Sequence, residues 1–145
     1  MSTQQSYKNH AQYVFAYHVV LFGIVVLTLI GAGVNLYQSW GDHERMYSAS
    51  LIFVIMIAFL ILMFLARIFA LKAQDRAIRA EENLRHFVLT GKLLPAALSV
   101  KQIVALRFAP DAEFPALAAE AASKNMASDA IKQSIKTWKP DTYRV

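Results

Sequence analysis

Cysteine is absent from the chain, which excludes disulfides and thiolate metal sites and leaves the redox compartment open. Charge is missing from two long stretches. No Asp, Glu, Lys or Arg occurs from Asn9 to Gly41, and none from Met46 to Ala66. A soluble domain, in which about a quarter of residues carry charge, does not leave gaps of that length. Glycine and proline are scarce as well, five and four residues in 145, and neither interrupts Leu51 to Thr90. There is no Gly-rich phosphate loop, nucleophile elbow or HExxH motif, so the sequence points to no enzyme class.

What fills the uncharged stretches is apolar. The chain is 57% hydrophobic with a mean hydropathy of +0.37. A hydrocarbon layer about 30 Å thick takes about 20 residues of helix, and Val14 to Leu36 and Leu51 to Leu65 with its flanks meet that length. Peptide groups in lipid must be satisfied internally, and continuous apolar runs without alternation exclude barrel strands, so both stretches are expected to be helices. The first run is longer than the apolar part of a signal peptide and is preceded only by Lys8, so it is read as a retained span.

The expected fold is all-α: a two-span transmembrane helical hairpin whose second helix extends into the cytosol, followed by a small three-helix cytosolic tail. The segments are a cytosolic N-terminus (1–12), transmembrane helix 1 (13–37), a short outer loop (38–48), transmembrane helix 2 (49–71), its cytosolic extension (72–91) and the tail (92–145). Orientation follows the basic residues. The connection from Gln38 to Ser48 has Arg45 as its only Lys or Arg, beside Asp42 and Glu44. The segment after the second span has Arg67, Lys72, Arg76, Arg79 and Arg85. Both termini are therefore expected to be cytoplasmic in a cell inner membrane. Tyr13 and Tyr17 at one headgroup layer, and Tyr37, Trp40 and Tyr47 at the other, agree with these depths.

Beyond the second span, Asp75 with Arg79 and Glu81 with Arg85 stand at the i, i+4 offset that favours helix. The helix should end near Gly91, with Pro95 just beyond. Phe59, Met63, Ala66, Ala70, Ala73, Ala77, Ala80, Leu84 and Phe87 repeat at four-three spacing, which suits a helix–helix seam and is equally met by alanine's plain helix propensity. In the tail, Ser99 with Gln102 forms a capping box. A second helix is expected from about Asp111 to Lys124 with Pro115 in its first turn, and a third from Ser128 or Asp129 to Trp138.

The stretch Gln74-Asp75-Arg76-Ala77-Ile78-Arg79-Ala80-Glu81-Glu82-Asn83-Leu84-Arg85 resembles a family of small bacterial membrane proteins of unknown function. So do Gln102 to Ala109, Glu113-Phe114-Pro115, the ending Trp138 to Val145, and Asn9-His10 with His18. The resemblance implies a two-span fold with a cytosolic helical tail, and no activity.

Several residues are candidates for chemistry or contact. His18 lies inside the first span, where an ionisable side chain calls for a partner or a ligand. A neutral imidazole there is a haem-ligand candidate, although bonds to headgroups or to backbone near Arg67 would also satisfy it. His10, eight residues earlier, is about 80° round a helix from His18 and makes no chelating pair with it. His43 with Asp42 and Glu44 lacks a fixed framework for a metal, and no metal site is expected. Gly23, Leu27, Gly31 and Asn35 form a stripe with Thr28 and Ala32 beside it, a contact surface for the second span or a partner subunit. Ile131, Ile135 and Trp138, bordered by Lys132, Lys136 and Lys139, suit either a membrane-surface helix or a core strip with a solvated face.

The preferred expectation is a non-enzymatic structural or accessory membrane protein. It would act in the lipid bilayer as a homo-oligomer or in a larger membrane protein complex, through Gly23, Thr28, Gly31, Ala32, Asn35, Ala66, Ala70, Ala73, Ala77 and Ala80. One alternative is a haem-binding or redox-accessory protein using His18, although no cofactor is required. The other is a membrane-tethered DNA binder, with Phe114 to Trp138 as a helix-turn-helix. The acidic residues of the tail and a turn without glycine argue against nucleic acid.

Overall fold

Two stretches of unbroken backbone hydrogen bonding follow from the two uncharged runs. The computed structural model describes residues 5–7, 9 and 13–141. Lys8, His10 and Arg144 lie outside the described residues. Among the described residues there are five α-helices and no strand, and the chain divides into two units, Tyr13–Ala70 and Leu71–Val145 with Met1–Gln12.

In the first of these units a π-helical stretch, Ala16–Leu21, runs directly into α1 (Phe22–Gln38), with the Phe22 N–H donating to the Tyr17 carbonyl five residues back. A turn with Gly41 at φ +93° leads to α2 (His43–Thr90). The loop expected over 38–48 is shorter, because the chain is outside helix only from Ser39 to Asp42. The reason is a cap: Asp42 Oδ1 accepts from the Arg45 N–H at 3.2 Å while the Asp42 carbonyl accepts from Met46. Helix therefore starts six residues before the expected 49.

Val25 and Ala32 on α1, Ser39 just past its end, and Ala49 and Met63 on α2 are buried in this unit. The Tyr17 hydroxyl donates to the Met63 carbonyl, and a Cβ on Gly33 would meet the Phe53 ring at 3.5 Å. The continuous helix Ala16–Gln38 and α2 are each long and apolar enough to cross a membrane, and only 11% of the most apolar window of each is buried.

In the second unit α2 ends where glycine permits it. Gly91, at φ +71°, donates to the Phe87 carbonyl at 2.8 Å. Three short helices follow: α3 (Val100–Leu106), α4 (Phe114–Ser123) and α5 (Ser128–Ser134). Ser99 and Gln102 make the capping box of α3, and Pro115 stands in the first turn of α4. Leu106, Phe108, Phe114 and Ile131 are almost wholly buried, each contributing about 1.5–3 kcal/mol by its removal from water.

The third tail helix, expected to reach Trp138, stops at Ser134. The Lys136 and Thr137 N–H groups donate to the Glu113 carboxylate at 3.1 and 3.2 Å, and the Lys139 N–H donates to the Phe108 carbonyl at 2.8 Å. These bonds hold residues 135–139 against the core, through a bend at Lys136 and Thr137.

Candidate functional site

The tail is fixed to the second half of α2 by one arginine. Arg85 donates through Nε to Asp111 at 2.7 Å, through Nη1 to Glu82 at 2.9 Å and through Nη2 to the Ala109 carbonyl at 2.8 Å, and its guanidinium carbon lies 4.4 Å from the centre of the Phe114 ring. Glu82 is buried. The sequence pairing of Glu81 with Arg85 is thus replaced by Glu82 with Arg85, because Glu82 faces the tail and Glu81 faces outward. The adjacent Arg85 holds the Asp111 carboxyl below its ordinary range, by hydrogen bond and then by charge, with a smaller contribution from Lys139.

The same helix face carries His86, whose Nδ1 lies 2.7 Å from the Lys92 carbonyl, and Asn83, whose Oδ1 accepts from the Leu94 N–H at 2.9 Å. His86 also meets Phe114 edge to face at 5.8 Å. Beside this contact runs a groove of about 330 Å³, bounded by Ala77, Glu81 and Glu82 on α2 and by Arg107 and Lys139 to Asp141 on the tail. Arg107 pairs with Asp141 at 2.8 Å. Asp141 in turn donates its N–H to Gln5 Oε1 at 2.7 Å, so residues 136 positions apart are tied together.

The alanine seam of α2 borders this groove at Ala77. Ala66 and Ala70 in the first unit, and Ala73, Ala77 and Ala80 in the second, are all exposed. So are Leu84, Phe87 and Val88, with Leu84 64% and Val88 75% accessible. The tail covers Ile78, Glu82 and His86, meets this face only at the groove beside Ala77, and leaves the rest of it bare.

On α1 the glycine stripe and the buried face differ. Val25, Ala32 and Ser39 are buried, at heptad intervals, with Leu29 and Leu36 half-buried between them. Gly31, Leu27, Thr28 and Asn35 are exposed and Gly23 is half-buried, so of the stripe only Ala32 faces α2. Thr28 satisfies itself by donating to the Ile24 carbonyl at 2.8 Å. The partner face on α2 is Met46, Ala49, Phe53, Met56, Leu60, Met63 and Arg67, so Met63, expected in the alanine seam, instead faces α1. Its three-four spacing was the available signal, masked because nearly every neighbour is apolar too.

His18 is packed among aromatics, 4.8 Å from Tyr13 in a stack and 5.2 Å from Tyr17 edge to face. Its Nδ1 lies 2.9 Å from the Val14 carbonyl and 3.2 Å from the Val14 nitrogen, so it donates to the first in one tautomer and accepts from the second in the other. An open apolar pocket of about 300 Å³ adjoins it, lined by Phe22, Met63 and Phe64 besides the two tyrosines.

Of the basic strip, Ile131 and Ile135 are core residues, and Trp138 packs on Phe108 at 4.8 Å. The Lys132 side chain is largely covered and pairs with Asp129 at 3.6 Å, while Lys136 and Lys139 are exposed beyond the end of α5.

All 145 residues match a family of unknown function, DUF6526. The chain belongs to that family. Comparison with curated proteins and with solved structures gives no match. Membership in DUF6526 agrees with a resemblance to a family of unknown function, carried by the Gln74 to Arg85 stretch, which in the fold is the part of α2 that holds the tail.

Proposed function

We propose that this DUF6526 member is a non-enzymatic accessory protein of the bacterial inner membrane, a two-span helical hairpin with both ends in the cytoplasm, acting through helix–helix association and its helical tail. The observation that carries the reading is the apolar surface that α1 and the first half of α2 leave uncovered, including Leu27, Ile30, Val54 and Ile61. Lipid is the solvent such a surface fits. The contacts of Tyr17 with Met63 and Gly33 with Phe53 suit a hairpin, and the Gln5–Asp141 tie suits ends on one side of the bilayer. The basic residues after the second span support the cytoplasmic side.

The test is extraction. Alkaline carbonate should leave the protein in the membrane pellet, and mild detergent should release a colourless particle larger than one chain. Release by carbonate would overturn the membrane reading, and a particle of single-chain mass would overturn association.

A second reading rests on the Val14 carbonyl beside His18 Nδ1, a contact that fixes the tautomer of many ligating histidines. It makes the protein a haem-binding accessory and predicts a Soret band that disappears in His18→Ala.

A further inference from the structure

We infer that the exposed face of α2 from Ala73 to Phe87 docks against the same face of a second copy of this chain, as a parallel two-stranded coiled coil outside the bilayer. The inference deepens the proposed association by naming the partner and the surface, and it rests on that reading.

The first observation is that this face is apolar and bare. Ala73, Ala77, Ala80, Leu84 and Phe87 alternate at four-three spacing, the period at which one helix keeps a single seam toward another. Large side chains at the Gly91 end, Leu84 and Phe87, accompany small ones nearer the apolar span, where two backbones can come close. The tail packs on Ile78, Glu82, Arg85 and His86, which lie off the seam.

The second observation is charge, and it selects the occupant. With the seam residues at heptad positions a and d, Arg76 takes position g and Glu81 position e of the next heptad. In a parallel pair g of one helix faces e of the other five residues on, so Arg76 of each copy meets Glu81 of its partner, twice by symmetry. An antiparallel pair sets g against g and e against e, which brings no opposite charges together here. Both side chains are exposed, and among the described residues neither forms an ion pair within the chain. A shared bilayer would also force the two copies to run parallel.

Because the chain has no cysteine, single cysteines report the geometry cleanly. Full-length protein carrying Ala73→Cys or Ala80→Cys is oxidised in its native membrane, with Arg79→Cys, exposed and off the seam, as the comparison. Dimer cross-linking should be at least tenfold greater at the two seam positions. In the Ala80→Cys background, Arg76→Glu should abolish it, and adding Glu81→Arg should restore it. Equal cross-linking at Arg79, or no rescue by the double swap, overturns the inference. If seam cross-linking is absent while the detergent particle still exceeds one chain, the seam is wrong and association survives. If the particle has single-chain mass, both fall.

Discussion

The guanidinium of Arg85 lies on the face of the Phe114 ring while donating to Glu82, Asp111 and the Ala109 carbonyl, so one side chain joins α2 to the turn before α4. Glu82 is buried, and without its arginine its charge would have no compensation. Arg85→Leu should therefore destabilise the tail by about 3 kcal/mol. Much of that loss should return when Glu82→Leu is added, because the pair then goes together. Thermal unfolding in detergent, followed by Trp138 fluorescence in a Trp40→Phe background, measures both.

Asp111 supplies the pH dependence. Its folded carboxyl titrates below its ordinary value, so its stabilising contribution is complete above the unfolded-state value and is lost as pH falls through the folded one. The side chain is 66% exposed, so the effect is small and screened by salt. Asp111→Asn should flatten the acid limb of the melting profile at low ionic strength and leave it unchanged in high salt. A variant with an unaltered limb at low salt would assign the acid sensitivity to another group.

Gln102 does more than cap. Its Oε1 accepts from the Ser99 N–H at 2.7 Å, and its Nε2 donates to the Met126 carbonyl at 2.8 Å, reaching the turn before α5. Ser99→Ala should cost about 1 kcal/mol, the usual worth of an N-cap. Gln102→Ala should cost about twice that, because it also leaves the Met126 carbonyl without its donor. Hydrogen exchange should show the Ser99 change confined to α3 and the Gln102 change spread into α5.

The glycines of α1 separate internal from external contacts. Gly33 faces Phe53 closely enough that Gly33→Leu should displace the ring and weaken the packing of α1 on α2, whereas nothing lies within 4 Å of a Cβ on Gly31. Gly31→Leu should leave the melting of the single chain unchanged. If it nevertheless reduces the mass of the detergent particle, the glycine stripe is a contact between chains.

What could be read in advance is what local chemistry decides. Gly91, the Ser99–Gln102 box and Pro115 each act within one turn, and each is where the sequence placed it. Two apolar helices were legible from the absence of charge. Which face of α1 meets α2 was not, because a helix apolar on all sides offers no contrast from which to read a face. Nor was the burial of Glu82, since Asp111, 26 residues after Arg85, is remote in sequence. Asp42 reads as part of a charged loop, although an aspartate three residues before Arg45 is an ordinary cap. The end of α5 depended on Glu113, a residue of another element.

The bond between Gln5 and Asp141 fixes an order of events during synthesis. Gln5 is made before both apolar helices, yet its partner is added 136 residues later, after both have been made. The segment before α1 must wait without this contact while the rest of the chain is translated. Closing so long a loop in an unstructured chain would be entropically costly, and the cost falls once the intervening helices have formed. Formation of the Gln5–Asp141 contact is therefore a late step, and protection of Gln5 from proteases should follow the folding of the tail.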